Sequence, residues 1–235
     1  ADAVHLLDKT LGPDHTRTLT ARGNLAGAYR SAGRLKEAID LFEQTLADTL
    51  RVLGPDNPDT LTSRNNLAGA YQSAGRLKEA IDLFEQTLAD SLRVLGPDNP
   101  DTLTSRNNLA SAYQAAGRLK EAIDLFEQTL ADRLRVLGPD NPDTLTSRND
   151  LAGAYESVGR LDEAIPLFEQ TLADSLRVLG PDNPDTLVSR NNLASAYQAA
   201  GRLKEAIDLF EQTLADRLRV LGPDNPDTLT SQGNL

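Results

Sequence analysis

The side chains of this sequence that could perform chemistry are mostly amides, and they recur at a fixed distance. Asparagine stands at Asn24, Asn66, Asn108 and Asn192, and neighbouring members of this series differ by 42 residues or a multiple of it. An amide offers a hydrogen-bond donor and an acceptor together, so it can pair with the backbone of an extended peptide whatever the peptide's sequence. Asp150 stands where the fourth copy would carry its asparagine, which interrupts the series.

Other candidate chemistries are weaker. The loop Asp98-Asn99-Pro100-Asp101 offers oxygen ligands of the kind that calcium prefers, but it lacks the spacing and the glycine of a calcium-binding EF-hand loop. Capping of the following helix explains Asn99 and Asp101 fully. His5 and His15 are the only histidines, and there is no cysteine. We therefore predict no catalytic residue, no metal site and no cofactor.

Charge and composition exclude further classes. The chain has 35 Asp and Glu against 24 Lys and Arg, a net charge of -11. Nucleic-acid affinity rests mostly on Lys and Arg, and anionic membranes attract the same residues, so we expect neither partner. No apolar run approaches the roughly 20 residues of a transmembrane helix. We expect a cytoplasmic protein that is not an enzyme.

The elements that position the amides are helices. Asn57, Pro58 and Asp59 form a helix start, since asparagine caps free N–H groups and proline suits the first turn. Gly75 and Gly96 fit the left-handed position that follows a helix end. The apolar face of the first predicted helix is Leu67, Ala70, Tyr71 and Ala74. The stripe predicted for the second helix is Leu77, Ala80, Ile81, Phe84, Leu88, Leu92 and Leu95. The charged residues Lys78, Glu79, Asp82, Glu85 and Arg93 are expected on a solvated outer face.

The run Asn66-Leu67-Ala68-Gly69-Ala70-Tyr71, followed by Gly75, Leu77, Ala80 and Phe84, resembles the tetratricopeptide repeat. Because the period is 42 residues, the chain looks like the kinesin-light-chain class of this repeat and like bacterial arrays of near-identical repeats. The resemblance implies an all-α fold, a right-handed superhelical solenoid of antiparallel helix pairs.

The resemblance also implies a concave groove in which asparagines hold a peptide. Carried over by position, the candidate groove residues are Asn24, Asn65, Asn66, Asn107, Asn108, Asn191, Asn192, Gln72, Gln114 and Gln198. The alternative interpretation is that these amides bond across neighbouring helices and only hold the array together.

We interpret residues 1–235 as a single repeat array, with partial units at 1–14 and 225–235. The segments 105–147 and 189–231 are identical, which indicates a duplicated pair of repeats. We expect an interaction scaffold whose partner is a protein or peptide. The alternative is a structural spacer that associates head-to-tail with further copies, because neither end carries the polar capping repeat that solenoids usually need.

Overall fold

The computed structural model describes residues 2–234, which contain α-helices and no strand. None of the described helices is long and apolar enough to cross a membrane. The helices are α1 (Asp2–Leu11), α2 (Thr16–Ser31), α3 (Leu35–Leu53), α4 (Pro58–Ser73), α5 (Leu77–Val94), α6 (Pro100–Ala115), α7 (Leu119–Val136), α8 (Pro142–Ser157), α9 (Leu161–Val178), α10 (Pro184–Ala199), α11 (Leu203–Val220) and α12 (Pro226–Gly233). The predicted all-α class is confirmed.

Helix starts and ends follow the predicted signals. The Asn57 side-chain oxygen accepts a hydrogen bond from the Asp59 backbone N–H at 2.8 Å. Asn99 does the same for Asp101 at 2.8 Å, so the prediction of capping in this loop is confirmed. Gly75 has φ 73° and Gly96 has φ 88°, a region that favours glycine. Among residues 2–234, no group of three or more acidic, histidine or cysteine side chains could hold a metal ion.

The chain divides into two compact units, residues 1–122 and 123–235. Within each unit, consecutive helices pack together, so that α4 lies between α3 and α5 and α10 between α9 and α11. The core between helices of the first unit contains Phe42, Leu67 and Ala70, with Tyr71 packed against its edge. Within a unit, a first helix such as α4 therefore contacts its own partner helix α5 and the second helix of the preceding repeat, α3.

The predicted stripe of the second helix is only partly right. Ala80, Ile81 and Phe84 are buried as expected, but Leu92 is 39% exposed. Thr87 and Ser91 continue the buried face in its place. Short polar side chains fit here because the first helix of the next repeat approaches this face closely, and the Thr87 hydroxyl donates to the Leu83 carbonyl at 2.7 Å.

A buried ion pair joins the two helices of a repeat. Arg64 on α4 is 5% exposed and donates to Asp90 on α5 at 2.6 Å. Asp90 also accepts from Arg93, and Arg93 forms two hydrogen bonds with Asp56 in the loop before α4. The hydrogen bonds from Arg64 and Arg93 lower the pKa of Asp90. The same pairing recurs as Arg22 with Asp48, Arg148 with Asp174 and Arg190 with Asp216.

A second contact joins successive repeats. The Tyr71 hydroxyl donates to Glu43 of the preceding repeat at 2.8 Å, and the Arg76 guanidinium lies 4.2 Å from the centre of the tyrosine ring. Burial, assisted by the Glu43 carboxylate, raises the pKa of Tyr71 to about 12. Tyr155 makes the same contact with Glu127 at 2.6 Å within the second unit. Tyrosine thus contributes to the core through its ring and to the junction between repeats through its hydroxyl.

We expect the two arginines that share Asp90 to differ sharply in their effect on stability. Arg64→Ala removes a guanidinium with 6% of its side chain exposed, whereas Arg93→Ala removes one with 56% exposed. Breaking a buried pair is strongly destabilising, so Arg64→Ala should cost about 3 kcal/mol. Arg93→Ala should change stability little, because exposed pairs are screened by solvent. Urea unfolding followed by circular dichroism checks this, and equal losses for the two variants would contradict it.

We expect Glu43→Gln to lower the pKa of Tyr71 below about 12 while leaving it raised, since burial is the largest cause of the shift. The folded state favours the neutral phenol. This contribution to stability is therefore complete below the ordinary tyrosine pKa of about 10 and is lost as the pH rises through the folded value. Alkaline titration of phenolate absorbance measures the change. Asp82→Asn, which alters an exposed pair with Lys78, serves as the control and should leave the curve unchanged.

Candidate functional site

The first helices of the first unit line an open groove of about 550 Å³. Its walls come from α2, α4 and α6, with one residue from α5. The lining residues are Arg30, Asn65, Asn66, Gly69, Gln72, Ser73, Phe84, Asn108 and Ala115. The structure therefore brings four of the predicted amides together: Asn65, Asn66, Gln72 and Asn108.

Helical spacing explains why these side chains share one surface. Asn66, Gly69 and Ser73 are three and four residues apart on α4, so they lie on one face of that helix. Asn108 and Ala115 repeat this spacing on α6. The floor is low at Gly69, where a Cβ atom would come 2.7 Å from the Nη1 atom of Arg30. The Arg30 guanidinium therefore occupies the room that Gly69 leaves beside the amides.

Some of the predicted amides are engaged in bonds between helices. The Asn65 amide donates to the Ser105 hydroxyl of α6 at 2.7 Å. In the second unit, Asn192 donates to Asn149 at 3.2 Å, and Asn191 accepts from Asn234 at 3.1 Å. These bonds join successive repeats, as expected from the alternative interpretation in which the amides only hold the array together.

The remaining amides differ in their environments. The side chains of Asn66 and Asn108 are half-buried, line the groove and form no hydrogen bond with another residue of the described chain, 2–234. Asn24 is exposed and lines a smaller cavity together with Asn66. Asn107 is buried, with 7% of its surface exposed. Gln114 is half-buried and Gln198 is exposed.

In the fourth copy, a glutamate and an aspartate occupy two of the amide positions. Glu156 stands at the position of Gln72, and burial raises the pKa of its carboxyl group. Asp150 stands at the position of Asn66 and exerts a favourable electrostatic effect on the buried Arg133. Asp150 therefore contributes a counter-charge to a buried cation.

Sequence reasoning also missed that Arg133 and Arg217, on second helices, are buried. Arg133 is 3% exposed and donates from Nη1 to the Asp143 carbonyl at 2.8 Å and to the Ser147 hydroxyl at 2.7 Å. Burial lowers its pKa, against the influence of Asp143 and Asp150. Arg217 repeats the contacts with Asp227 and Ser231 at 2.9 and 2.6 Å. The signal in the sequence was the alternation of serine and arginine at positions 91, 133, 175 and 217.

Comparison with known proteins supports one family along almost the whole chain. A sequence model of the tetratricopeptide repeat matches residues 48–93, 67–135, 129–174, 149–218 and 192–235, and a second model of this repeat matches residues 18–59. No curated protein matches the chain.

Several solved structures are similar. A kinesin-light-chain-like protein of nearly identical repeats from Podosopora anserina is 38% identical to this chain. The match covers 87% of this chain and 97% of that protein, with a TM-score of 0.70. BtubC (BKLC) from P. vanneervenii is 21% identical, and the match covers 94% of this chain and 88% of that protein. Its TM-score is 0.73, and at this identity the likeness shows the fold alone. A thermophilic tetratricopeptide protein from Thermus thermophilus is 23% identical. The match covers 92% of this chain and 98% of that protein, with a TM-score of 0.64, and it too shows the fold alone.

The periodic helix pairs, the glycine and asparagine signals at their ends and the matches to the repeat models lead to one assignment. The chain belongs to the tetratricopeptide repeat family.

Proposed function

We propose that the groove of the first unit binds an extended peptide segment of a partner protein. The observation that carries this proposal is the pair Asn66 and Asn108, whose amides face a groove of about 550 Å³ without a partner in the described residues 2–234. Tetratricopeptide repeat proteins generally mediate protein–protein interaction or act as scaffolds, which agrees with this use of the surface.

The amides suit a peptide backbone for a physical reason. Each offers two donors and an acceptor, and a peptide in extended conformation presents N–H and C=O groups that need such partners. Because Asn66 projects from α4, which is packed between α3 and α5, little freedom of the scaffold is lost on binding. The small residue Ala115 leaves space for the peptide's own side chains, whereas the Arg30 guanidinium occupies the space over Gly69.

A chain of net charge -11 favours a partner segment that is not acidic, because like charges repel at short range. We also place the protein in the cytoplasm. We assign it no catalytic role, because its candidate side chains are amides spread along a surface, whereas catalysis needs an acid, a base or a nucleophile converging in one pocket.

We expect Asn66→Ala combined with Asn108→Ala to weaken peptide binding at least about tenfold without lowering the melting temperature, because each lost hydrogen bond is worth about 1 kcal/mol. An array of ten-residue peptides identifies ligands, and fluorescence anisotropy measures affinity. Gln128→Ala combined with Gln170→Ala removes two exposed amides from second helices and is the matched control. Saturable binding that survives the asparagine double variant would contradict the proposal.

A second candidate function is assembly by head-to-tail stacking of copies. Leu203 and Ile207 on α11 are 58% and 50% exposed, whereas the corresponding Ile81 on α5 is 8% exposed beneath the next repeat. A further copy of the chain could cover this face in the same way. We expect Ile207→Lys to reduce the mass measured by light scattering at high concentration if stacking occurs. A monomer at every concentration would remove this candidate.

A further inference from the structure

Three junctions between repeats contain a cavity at a position where two other junctions contain an arginine. The cavities have volumes of about 120, 190 and 130 Å³, and their walls include Thr49, Ser175 and Ser91 in turn. Arg133 and Arg217 occupy the corresponding sequence positions at two further junctions, α7 with α8 and α11 with α12. Each cavity could hold several waters, since one water needs only about 10–15 Å³.

The two arginines show what this space binds. At its junction, Arg217 donates to a backbone carbonyl, that of Asp227, and to a serine hydroxyl, that of Ser231. Where the arginine is absent, the same groups remain without a guanidinium. Ser189 turns its hydroxyl to the Asp185 carbonyl at 2.9 Å, and Ser63 does the same with Asp59 at 2.9 Å.

The Ser91 cavity contains two buried acceptors without a partner in the described chain. The Ser91 hydroxyl is buried in a residue that is 1% exposed, and it forms no hydrogen bond within residues 2–234. The Asn65 side-chain oxygen is also buried and unpaired, because the amide nitrogen of Asn65 is directed to Ser105. Unpaired buried acceptors are costly, and a planar group with several N–H donors satisfies them together.

Charge and position agree with a cationic occupant that enters from the groove. One aspartate lines each smaller cavity, Asp59 in one and Asp101 in the other, and no lysine or arginine does. Asp150 and Asp185 line the largest of the three. The Ser91 cavity shares Asn65, Asn66 and Asn108 with the groove of the first unit, so the two spaces adjoin.

We propose that the junction cavities beside Thr49, Ser91 and Ser175 are guanidinium sites, and that the Ser91 site receives an arginine side chain of the peptide in the adjoining groove. The guanidinium would donate to the Ser91 hydroxyl and the Asn65 oxygen, as Arg217 donates to its own partners. The cavity part of this inference stands on the structure alone, and the peptide part rests on the proposed function.

The cavity part is tested with N-acetyl-arginine methylamide, which is too short to lie along the groove. We expect it to raise the melting temperature of the protein with increasing concentration, because it binds only the folded state. The citrulline derivative, which has the same shape without the charge, should raise it much less. In the triple variant T49R/S91R/S175R the rise should disappear, since a guanidinium of the protein itself is then supplied to each site, as Arg217 supplies one to Asp227 and Ser231. An equal rise in the triple variant, or none in the unaltered protein, overturns the inference.

A reverse variant keeps the test informative should the triple variant fold poorly. Arg217→Ser removes a native guanidinium, so its melting temperature should fall, and the arginine derivative should restore part of the loss. The citrulline derivative is again the control. Failure of the arginine derivative to restore more stability than citrulline does would count against a guanidinium site.

The peptide part is tested with a groove-binding peptide that carries one arginine and with its citrulline counterpart. We expect the arginine peptide to bind at least about tenfold more tightly, as charge-assisted hydrogen bonds require, and Ser91→Arg should abolish the difference. Groove binding with no preference for arginine overturns the peptide part and leaves the proposed function standing. No peptide binding, with the arginine derivative still stabilising the protein, removes the proposed function and supports the guanidinium sites on their own.

Discussion

The interaction on which a repeat depends is the ion pair of an arginine buried on its first helix, as in α4 and α10. Arg64 lies on a helix that is covered on both flanks, and its charge is tolerated only because Asp90 on the partner helix accepts its hydrogen bond. Asp90 is held in turn by Arg93, which also binds Asp56 in the preceding loop. The pair therefore fixes the loop, the first helix and the second helix in one arrangement. Pairing of this kind specifies geometry, whereas the burial of Phe84, Ala68 and Ala70 supplies most of the favourable free energy.

The groove follows from the same constraint. A helix that is covered on two flanks has little surface left, and in the first unit the open part of α4 carries Asn66, Gly69 and Ser73. Side chains here must be short or polar, because large apolar ones would be exposed. The surface that results is an amide-rich floor with space above it. Interhelical bonds such as that of Asn65 with Ser105 hold this floor in place and leave Asn66 and Asn108 available.

The alternation of serine and arginine gives nearly identical repeats two kinds of interior. Where the residue is arginine, its guanidinium donates to groups of the next repeat, as Arg217 does to the Asp227 carbonyl and the Ser231 hydroxyl. With serine, as at Ser91, the space stays open and its acceptors are unpaired within the described chain. One substitution repeated every second copy thus changes the chemistry of a junction while the helices around it are unchanged.

The sequence by itself determined the helices, their limits and the family. Capping asparagines, proline in the first turn and glycine after each helix act locally, so Asn57 and Gly75 could be read from their neighbours alone. The sequence also placed the candidate amides, but it left open which of them bond within the array. Only the tertiary structure decided that Asn65 bonds to Ser105 while Asn66 faces the groove, that Thr87 and Ser91 are buried while Leu92 is not, and that Arg64 is an interior residue. These outcomes depend on how closely helices from neighbouring repeats approach one another, a distance set by packing between segments that are far apart in the chain.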